Sequence, residues 1–278
     1  MDVTDRSSLP RRPLPRSVDE LPPISRDFVQ VLDALLPELG FELTTTQRTA
    51  IEDHARLLLA WNDAINLSGL RTPADVARGH VLDALVAVPA LRAIARGRLD
   101  LLDIGSGGGY PGLPLAVALP SPRAALVDSI AKKAAFLGAA AAAAAAATGA
   151  KISALNERAE DLADEPDHRQ GWDLVVARAV GTVSECAELG LPLARRHGHV
   201  VIWKRASDQP ARAALDQEIE GARRIVQAAG GSGIRVVELR AGERLGLPGC
   251  LLVVIRKTRP TPDRYPRSPG ERKRGRVT

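Results

Sequence analysis

From residue 99 onward, short apolar runs alternate with segments long enough to form helices. Seven runs have the length and composition of strands, at residues 99–104, 124–127, 151–155, 172–177, 199–203, 234–239 and 250–256. Parallel strands need a long crossover, usually a helix, so this alternation is typical of an open sheet covered on both faces. The pattern therefore predicts an α/β fold built on a Rossmann-like, seven-stranded, doubly wound sheet.

The preceding part of the chain, residues 26–97, has helical periodicity instead. The spelling Thr44-x-x-Gln47 matches a capping box at a helix start. Apolar residues then recur every three or four positions, at Ile51, Ala55, Leu58, Trp61 and Ile65. This spacing predicts an apolar stripe along one helix, and Thr72-Pro73 is a typical start for another, which we expect to continue to about residue 95. We therefore expect an N-terminal helical subdomain over 26–97 and the sheet domain over 98–257.

The two ends of the chain differ from the rest in composition. Residues 1–25 contain five prolines and few large apolar side chains, which predicts a disordered leader. From Arg256 to Thr278 there are nine Lys or Arg and two Asp or Glu, a net +7, whereas the remaining 29 basic and 31 acidic residues carry −2. Residues 258–278 are therefore predicted to form a basic disordered tail, which either contacts nucleic-acid phosphates or only aids solubility.

Membrane and metal binding are not indicated by the sequence. No apolar run approaches the roughly 20 residues that a membrane-spanning helix needs, and the chain does not start with an apolar signal segment. Cys186 and Cys250 lack CxxC or Cys/His spacing, so we expect buried reduced thiols and no metal site. These features predict a cytoplasmic protein.

A glycine-rich segment follows the first predicted strand and opens a helix. Gly107, Gly109 and Gly112 satisfy the dinucleotide fingerprint G-x-G-x-x-G, so an NAD(P)-dependent oxidoreductase is one interpretation. Asp103 precedes Gly105 by two residues, however, and gives the spelling D-x-G-x-G-x-G. A carboxylate there would repel a pyrophosphate but attract the ammonium group of S-adenosylmethionine. The segment therefore favours S-adenosylmethionine as the cofactor.

Three further positions carry candidate ligand-binding side chains. Asp128 ends the second predicted strand, where a carboxylate can accept hydrogen bonds from ribose hydroxyls in either cofactor class or cap the next helix. Arg178 ends the fourth strand, where strand ends face ligand in an open sheet, and we favour a functional role over an internal salt bridge. His80 and Asp83 share a helix face, where they could orient RNA near Asn66 or join the two subdomains.

Several short sequence motifs follow one another between residues 30 and 257. They are Trp61-Asn62-x-x-x-Asn66-Leu67-Ser68, His80-x-x-Asp83-x-Leu85, the glycine segment with Pro111-Gly112-x-Pro114, Asp128-Ser129-x-x-Lys132-Lys133, Arg158-Ala159-Glu160 and Ala177-Arg178-Ala179. Together they resemble the RsmG (GidB) family of 16S ribosomal RNA guanine-N7 methyltransferases. The prolines directly after the glycine segment are the most specific element of the resemblance.

The resemblance implies a class I methyltransferase fold and methyl transfer from S-adenosylmethionine to a guanine in the decoding-region loop of 16S rRNA. Its partner would be that RNA or the small ribosomal subunit. The implied cofactor residues are Gly105, Tyr110, Ala159, Glu160 and Arg178, beside Asp103, Gly107 and Asp128. Asn66, His80 and Lys204 are the expected substrate-positioning residues. Tyr110 departs from the family's usual Phe or Leu, and Arg205 from an expected glycine after Lys204.

The implied reaction needs no proton acceptor, because nitrogen 7 of guanine has an in-plane lone pair and no proton. We therefore expect no catalytic general base, and a rate that depends on positioning. A non-catalytic ribosome-assembly factor that retains the fold is the remaining alternative, alongside the oxidoreductase.

Overall fold

A seven-stranded sheet forms the centre of the molecule, and its computed structural model describes residues 14–95, 97, 99–121 and 123–274. The strand order is β3-β2-β1-β4-β5-β7-β6. The strands are β1 (Leu101–Ile104), β2 (Ala124–Val127), β3 (Ile152–Leu155), β4 (Trp172–Arg178), β5 (Ala194–Arg205), β6 (Gly231–Glu238) and β7 (Cys250–Lys257). β1 to β5 are parallel, and β7 runs antiparallel to both β5 and β6. The predicted fold class and all seven predicted strands are confirmed.

Helices cover both faces of the sheet. The helices are α1 (Arg26–Leu35), α2 (Thr45–Ile65), α3 (Pro73–Val76), α4 (Asp83–Leu85), α5 (Val88–Ile94), α6 (Gly112–Ala118), α7 (Ala131–Thr148), α8 (Ala159–Leu162), α9 (Val183–Gly190), α10 (Gln209–Ala228), α11 (Ala241–Arg244) and α12 (Pro269–Arg274). Side chains alternate across the sheet, so Val201 and Trp203 join the core beneath the N-terminal helices, α6 and α7. Val200 and Ile202 join the opposite core, with α9 and α10. Burial on both faces accounts for the nearly continuous apolar spelling of the strands.

The N-terminal helices pack on the rest of the fold through α2, which contacts α7. Trp61 of α2 meets Phe136 of α7 edge to face, with ring centroids 5.6 Å apart. Ala140 and Ala144 of the alanine-rich stretch are completely buried. Small side chains allow a neighbouring helix to approach closely, so the run contributes a packing surface as well as helix propensity.

The segment that the sequence predicts as a continuous third helix is divided. α3 is followed by a π-helical turn at Ala77–Leu82, then by α4 and, after a short turn, by α5. Pro89 lies in the first turn of α5, where its missing N–H costs no helical hydrogen bond. π-turns widen a helix locally and are frequent at functional sites. Here the turn carries His80 and leads directly into Asp83.

The N-terminal residues 14–25 are ordered by contacts with α2, which differs from the predicted disordered leader. The Trp61 Nε1 donates a hydrogen bond of 2.8 Å to the carbonyl oxygen of Pro15. The Arg56 guanidinium donates to three further carbonyl oxygens, those of Val18, Leu21 and Pro22. Composition underestimates such order because these hydrogen bonds come from side chains far along the sequence. Residues 1–13 of the predicted leader lie outside the described part.

The C-terminal segment also differs from the predicted disordered tail. Thr261 and Tyr265 are buried, and the Arg267 guanidinium binds both carboxylate oxygens of Glu188, at 2.8 and 2.7 Å. The Glu188 side chain is only 3% exposed. Part of the tail's positive charge is therefore neutralised inside the fold, which a charge count cannot reveal. Residues 275–278 lie outside the described part.

No helix in the described ranges is both long enough and apolar enough to cross a bilayer. Cys186 and Cys250 are buried and form no disulfide. Among the described residues there is no group of three or more His, Cys, Asp or Glu side chains that could hold a metal ion.

The Glu188–Arg267 pair gives a stability prediction. Arg267→Ala should lower the free energy of unfolding by about 3 kcal/mol, because it leaves a buried carboxylate without its partner. Adding Glu188→Gln should recover part of this loss. The control is Lys273→Ala on the exposed side of α12, which should change stability by less than about 0.5 kcal/mol. Urea unfolding measures all three, and equal midpoints for Arg267→Ala and Lys273→Ala would contradict the role given to the pair.

Candidate functional site

The glycine-rich loop lies at the carboxyl end of β1 and has a backbone that glycine is needed to form. Gly105, Gly107 and Gly109 have φ angles of +68°, +55° and +82°. Ser106 ties the loop to β2, because its N–H donates to the Val127 carbonyl (2.9 Å) and its hydroxyl accepts from the Val127 N–H (3.1 Å). The loop is therefore held in shape by the sheet before any ligand binds.

Two glycines also permit close packing around the loop. A Cβ at Gly109 would lie 2.7 Å from Nε2 of His54, and a Cβ at Gly112 would lie 2.5 Å from a carboxylate oxygen of Asp103. Neither space is available to a larger residue without movement of the neighbour. The dinucleotide-like motif is thus explained by packing at Gly109 and Gly112 and by the positive φ of Gly107, independently of which cofactor binds.

Asp103 is the most unusual group at the site. Its side chain is almost completely buried, and one carboxylate oxygen, Oδ2, accepts a hydrogen bond of 2.9 Å from the Gly112 N–H. The other, Oδ1, has no hydrogen-bond partner among the described residues. Burial raises the pKa of this carboxyl group to about 7. Buried polar atoms are nearly always paired, so the free oxygen indicates a place for a ligand group that donates to it.

Asp128 supports the loop from the next strand. Its Oδ2 accepts from the Gly107 N–H at 3.0 Å, and its Oδ1 accepts from the Ile130 N–H at 2.9 Å, just before α7. The carboxylate therefore joins the loop to the start of the following helix. Each oxygen keeps acceptor capacity for a hydroxyl group, so the ribose and capping interpretations are compatible in this geometry.

A stack of three rings forms one side of the loop. The Tyr110 ring lies between His54, at a centroid distance of 4.3 Å, and His80, at 4.6 Å. The His54 Nε2 donates to the carbonyl oxygen of Gly108 at 2.8 Å, and burial lowers the pKa of His54 to about 4. His54 belongs to the apolar side of α2, and nothing in its spacing distinguishes it from an ordinary core residue. Sequence reasoning therefore did not identify it.

Arg178 connects the end of β4 to the helical subdomain. Its Nη1 donates to the Asp83 Oδ2 at 2.7 Å, and its Nη2 donates to the His80 Nδ1 at 2.9 Å. Because a guanidinium only donates, the His80 Nδ1 must accept, so the His80 proton lies on Nε2 and points to the Ser68 hydroxyl at 2.6 Å. Burial, followed by the charge of Arg178, lowers the pKa of His80 to about 3. His80 is thus a neutral hydrogen-bonding group at physiological pH.

Asp83 accepts hydrogen bonds from three elements of the sheet domain. Besides Arg178, its carboxylate binds Arg205 at 2.8 Å and the thiol of Cys250 at 3.4 Å. The Trp203 Nε1 donates to the Asp83 backbone carbonyl at 3.1 Å. Two guanidinium groups thus share one carboxylate, which leaves a local excess of positive charge. Both sequence interpretations of His80 and Asp83, a functional pair and a link between subdomains, are compatible with this geometry.

The other expected site residues are engaged differently. Lys204 points to the opposite face of the sheet and pairs with Glu218 of α10 at 2.7 Å. Asn66 ends α2 with a left-handed backbone, and its side-chain oxygen accepts from Arg71 at 2.6 Å. Glu160 follows the half-buried Ala159 at the start of α8. It is paired with Arg272 of the C-terminal segment at 2.8 Å, a contact that only the folded tail creates.

Comparison with known proteins places the chain in a family. The model of the GidB family, rRNA small subunit methyltransferase G, matches residues 47–244. Ribosomal RNA small subunit methyltransferase G of Desulforamulus reducens is 32% identical over 248 residues, which cover 88% of this chain and 96% of that protein. The protein of the same name from Roseiflexus sp. is 36% identical, over 83% of this chain and 92% of its own length. The chain belongs to the GidB family.

Proposed function

We propose that the protein transfers a methyl group from S-adenosylmethionine to nitrogen 7 of a guanine in the decoding-region loop of 16S rRNA. The observation that carries this proposal is the unpaired, buried carboxylate oxygen of Asp103 beside the glycine loop. Family membership supports the same reaction class, since the relatives are named as small-subunit rRNA methyltransferases. The cofactor, when bound, supplies an electrophilic methyl group on its sulfonium.

The residues around the loop fit this cofactor better than a dinucleotide. Asp103 would accept hydrogen bonds from the cofactor's ammonium group, and the ion pair would favour the ionised carboxylate. A pyrophosphate at the same place would leave the Asp103 Oδ1 without a hydrogen-bond donor. The ionised Asp103 carboxylate would also repel the negatively charged pyrophosphate. We assign Asp128 to the ribose hydroxyls, and Gly105, Gly107 and Tyr110 to the walls of the site. We also assign Ala159 and Glu160 to the adenine end, and Arg178 to the cofactor site.

The reaction requires these residues to orient the two substrates and not to move a proton. Nitrogen 7 attacks with a lone pair that carries no hydrogen. His80 is also a poor proton acceptor, because its Nδ1 already accepts from Arg178 and its pKa is lowered to about 3. We propose that Arg178, fixed by Asp83 and His80, positions the guanine or the cofactor. Correct orientation alone can contribute several kcal/mol to catalysis.

The substrate is proposed to be 16S rRNA or a small-subunit particle, and the site of action the cytoplasm. Asn66, His80 and Lys204 stay proposed substrate-positioning residues. Of the three, Lys204 would have to leave Glu218 to reach RNA, because the two are paired at 2.7 Å.

Incubation of the purified protein with S-adenosylmethionine and small-subunit RNA tests the proposed function directly. Mass mapping of the RNA should locate a single methylated guanine. A parallel calorimetric titration uses NAD in place of S-adenosylmethionine, and we expect no binding of NAD. RNA binding without any methylation, on naked RNA and on subunit particles, would favour the non-catalytic assembly factor instead.

The pKa of Asp103 predicts pH-dependent cofactor binding. Its value is raised from 3.8 to about 7, so the ionised form that pairs with an ammonium is the minor form below pH 7. Affinity for S-adenosylmethionine should therefore rise by up to about tenfold per pH unit between pH 5.5 and 6.5 and level off above pH 7. Asp103→Asn should bind weakly and without this slope, whereas Asp63→Asn, at an exposed position, should match the wild type. Calorimetry at three pH values measures both, and tight, pH-sloped binding by Asp103→Asn would contradict the assignment.

Orientation without a general base predicts a distinctive set of single-turnover rates. With saturating substrates, Arg178→Ala should reduce the methyl-transfer rate by about a hundredfold or more through misplacement of the reacting groups. His80→Asn can still accept a hydrogen bond from Arg178 and should lose much less. The wild-type rate should show no ionisation of His80 between pH 6 and 8. A rate that rises tenfold per pH unit in this range, and that His80→Asn makes flat, would show that His80 is a base.

A further inference from the structure

A group of basic side chains lies on β5, β6 and β7 at the end of the sheet opposite the glycine loop. In the pairing of β4 with β5, His199 is the register partner of Leu174 near the start of β4. Trp203 is the partner of Arg178 at the carboxyl end of β4. The four intervening steps correspond to about 13 Å of strand. These basic side chains therefore lie outside the site described above, yet on the same domain.

The strand register places these basic groups next to one another. His199 is directly opposite Arg256 of β7, and Arg235 of β6 is opposite Val254, two residues before Arg256. Residues two apart in a strand point to the same face of the sheet, so His199 points with Val201 and Arg256 with Val254. Val201 and Val254 belong to the core beneath the N-terminal helices. The three basic side chains therefore point to one face of the sheet. Arg235 and Arg256 are diagonal neighbours on adjacent strands, close enough for their long side chains to interact.

No acidic side chain compensates them within the described residues. The basic side chains line a half-open cavity of about 460 Å³, together with Ala93 and Ile94 of α5. Arg235 and Arg256 are exposed, and neither forms an ion pair with any described residue, in contrast to Arg178 or Arg267. The Nδ1 of His199 is buried and has no hydrogen-bond partner in the described part of the chain.

The electrostatics of His199 support an uncompensated positive field in this cavity. Burial, followed by the charges of Arg256 and Arg235, lowers the pKa of His199. The Arg256 Nη2 also lies 3.5 Å from the Nδ1 of His197. The cavity thus combines two guanidinium groups with two imidazoles and offers hydrogen-bond donors for an anion.

We propose that this cluster, the strand-end basic pocket formed by His197, His199, Arg235 and Arg256, binds a phosphate group. Guanidinium groups match the spacing of phosphate oxygens and bind them by paired hydrogen bonds. A neutral imidazole can add a donor from Nδ1. The source of the phosphate is a phosphodiester of the RNA substrate, away from the target guanine, and this part of the inference rests on the proposed function. Such a contact would position the RNA backbone without reading its sequence.

The variant that tests the pocket is Arg235→Gln combined with Arg256→Gln, and Arg223→Gln combined with Arg224→Gln is the control. All four arginines are exposed, so both proteins should fold, and each loses the same formal charge. Affinity for a small-subunit RNA fragment is measured without cofactor between 50 and 300 mM salt. The pocket variant should bind about tenfold more weakly, with a salt slope smaller by roughly 1 to 2, whereas the control should stay near wild type.

Two further measurements separate the pocket from the catalytic site. The pocket variant should keep the wild-type affinity for S-adenosylmethionine and the wild-type single-turnover rate at saturating RNA, so that only the RNA concentration needed for half-maximal rate increases. Titration of wild-type protein with inorganic phosphate should shift the NMR signals of His199, and the pocket variant should not show this shift.

Other results of these experiments would contradict particular parts of the proposal. Equal RNA affinity of the two double variants, together with unshifted His199 signals, overturns the phosphate site. Shifted signals with unchanged RNA affinity support phosphate binding and overturn RNA as its source. Displacement of RNA from the pocket by polyglutamate but not by phosphate overturns phosphate in favour of an acidic protein segment. Methylation by the wild type is assayed separately, so a failure of the proposed function is distinguishable from a failure here.

Discussion

The buried ion pair between Asp83 and Arg178 joins the two parts of this protein. Asp83 comes from the helical subdomain and Arg178 from the carboxyl end of β4, and their side chains are only 8% and 18% exposed. Removing one partner of such a pair leaves a buried charge, which typically costs about 3 to 5 kcal/mol. The same carboxylate also binds Arg205 and Cys250, so the orientation of the helices depends on strands β4, β5 and β7 together. The Arg178 guanidinium is consequently held in place before substrate arrives.

The glycine loop is held by a similar set of contacts from distant parts of the chain. His54 of α2 binds the carbonyl of Gly108, Ser106 binds β2, and Asp128 binds the N–H of Gly107. Next to these contacts, the Oδ1 of Asp103 is a buried carboxylate oxygen without a hydrogen-bond partner among the described residues, and the Tyr110 hydroxyl of the loop is also unpaired there. A site that is already ordered loses little conformational freedom on binding, and its remaining polar group determines which ligand it favours.

The positive charge of the chain is distributed differently from what its composition implies. The C-terminal segment carries the charge excess, but Arg267 and Arg272 are paired with Glu188 and Glu160. The uncompensated arginines Arg235 and Arg256 instead lie on two strands of the sheet, and only Arg256 belongs to the basic C-terminal segment. The net charge of a sequence segment therefore does not give the electrostatic field at its surface when ion pairs with distant residues neutralise its charges.

The sequence by itself determined the class of fold, the seven strands, the glycine loop and the place of Asp103 in the strand before that loop, because these depend on local periodicity and on the chemistry of neighbouring residues. Only the tertiary structure decided which carboxylate each arginine meets, that His54 supports the loop, and that Lys204 turns to α10. It also decided that residues 14–25 and 258–274 are structured and that the third predicted helix is divided. Such features arise from contacts between residues far apart in the chain, and no local pattern records them.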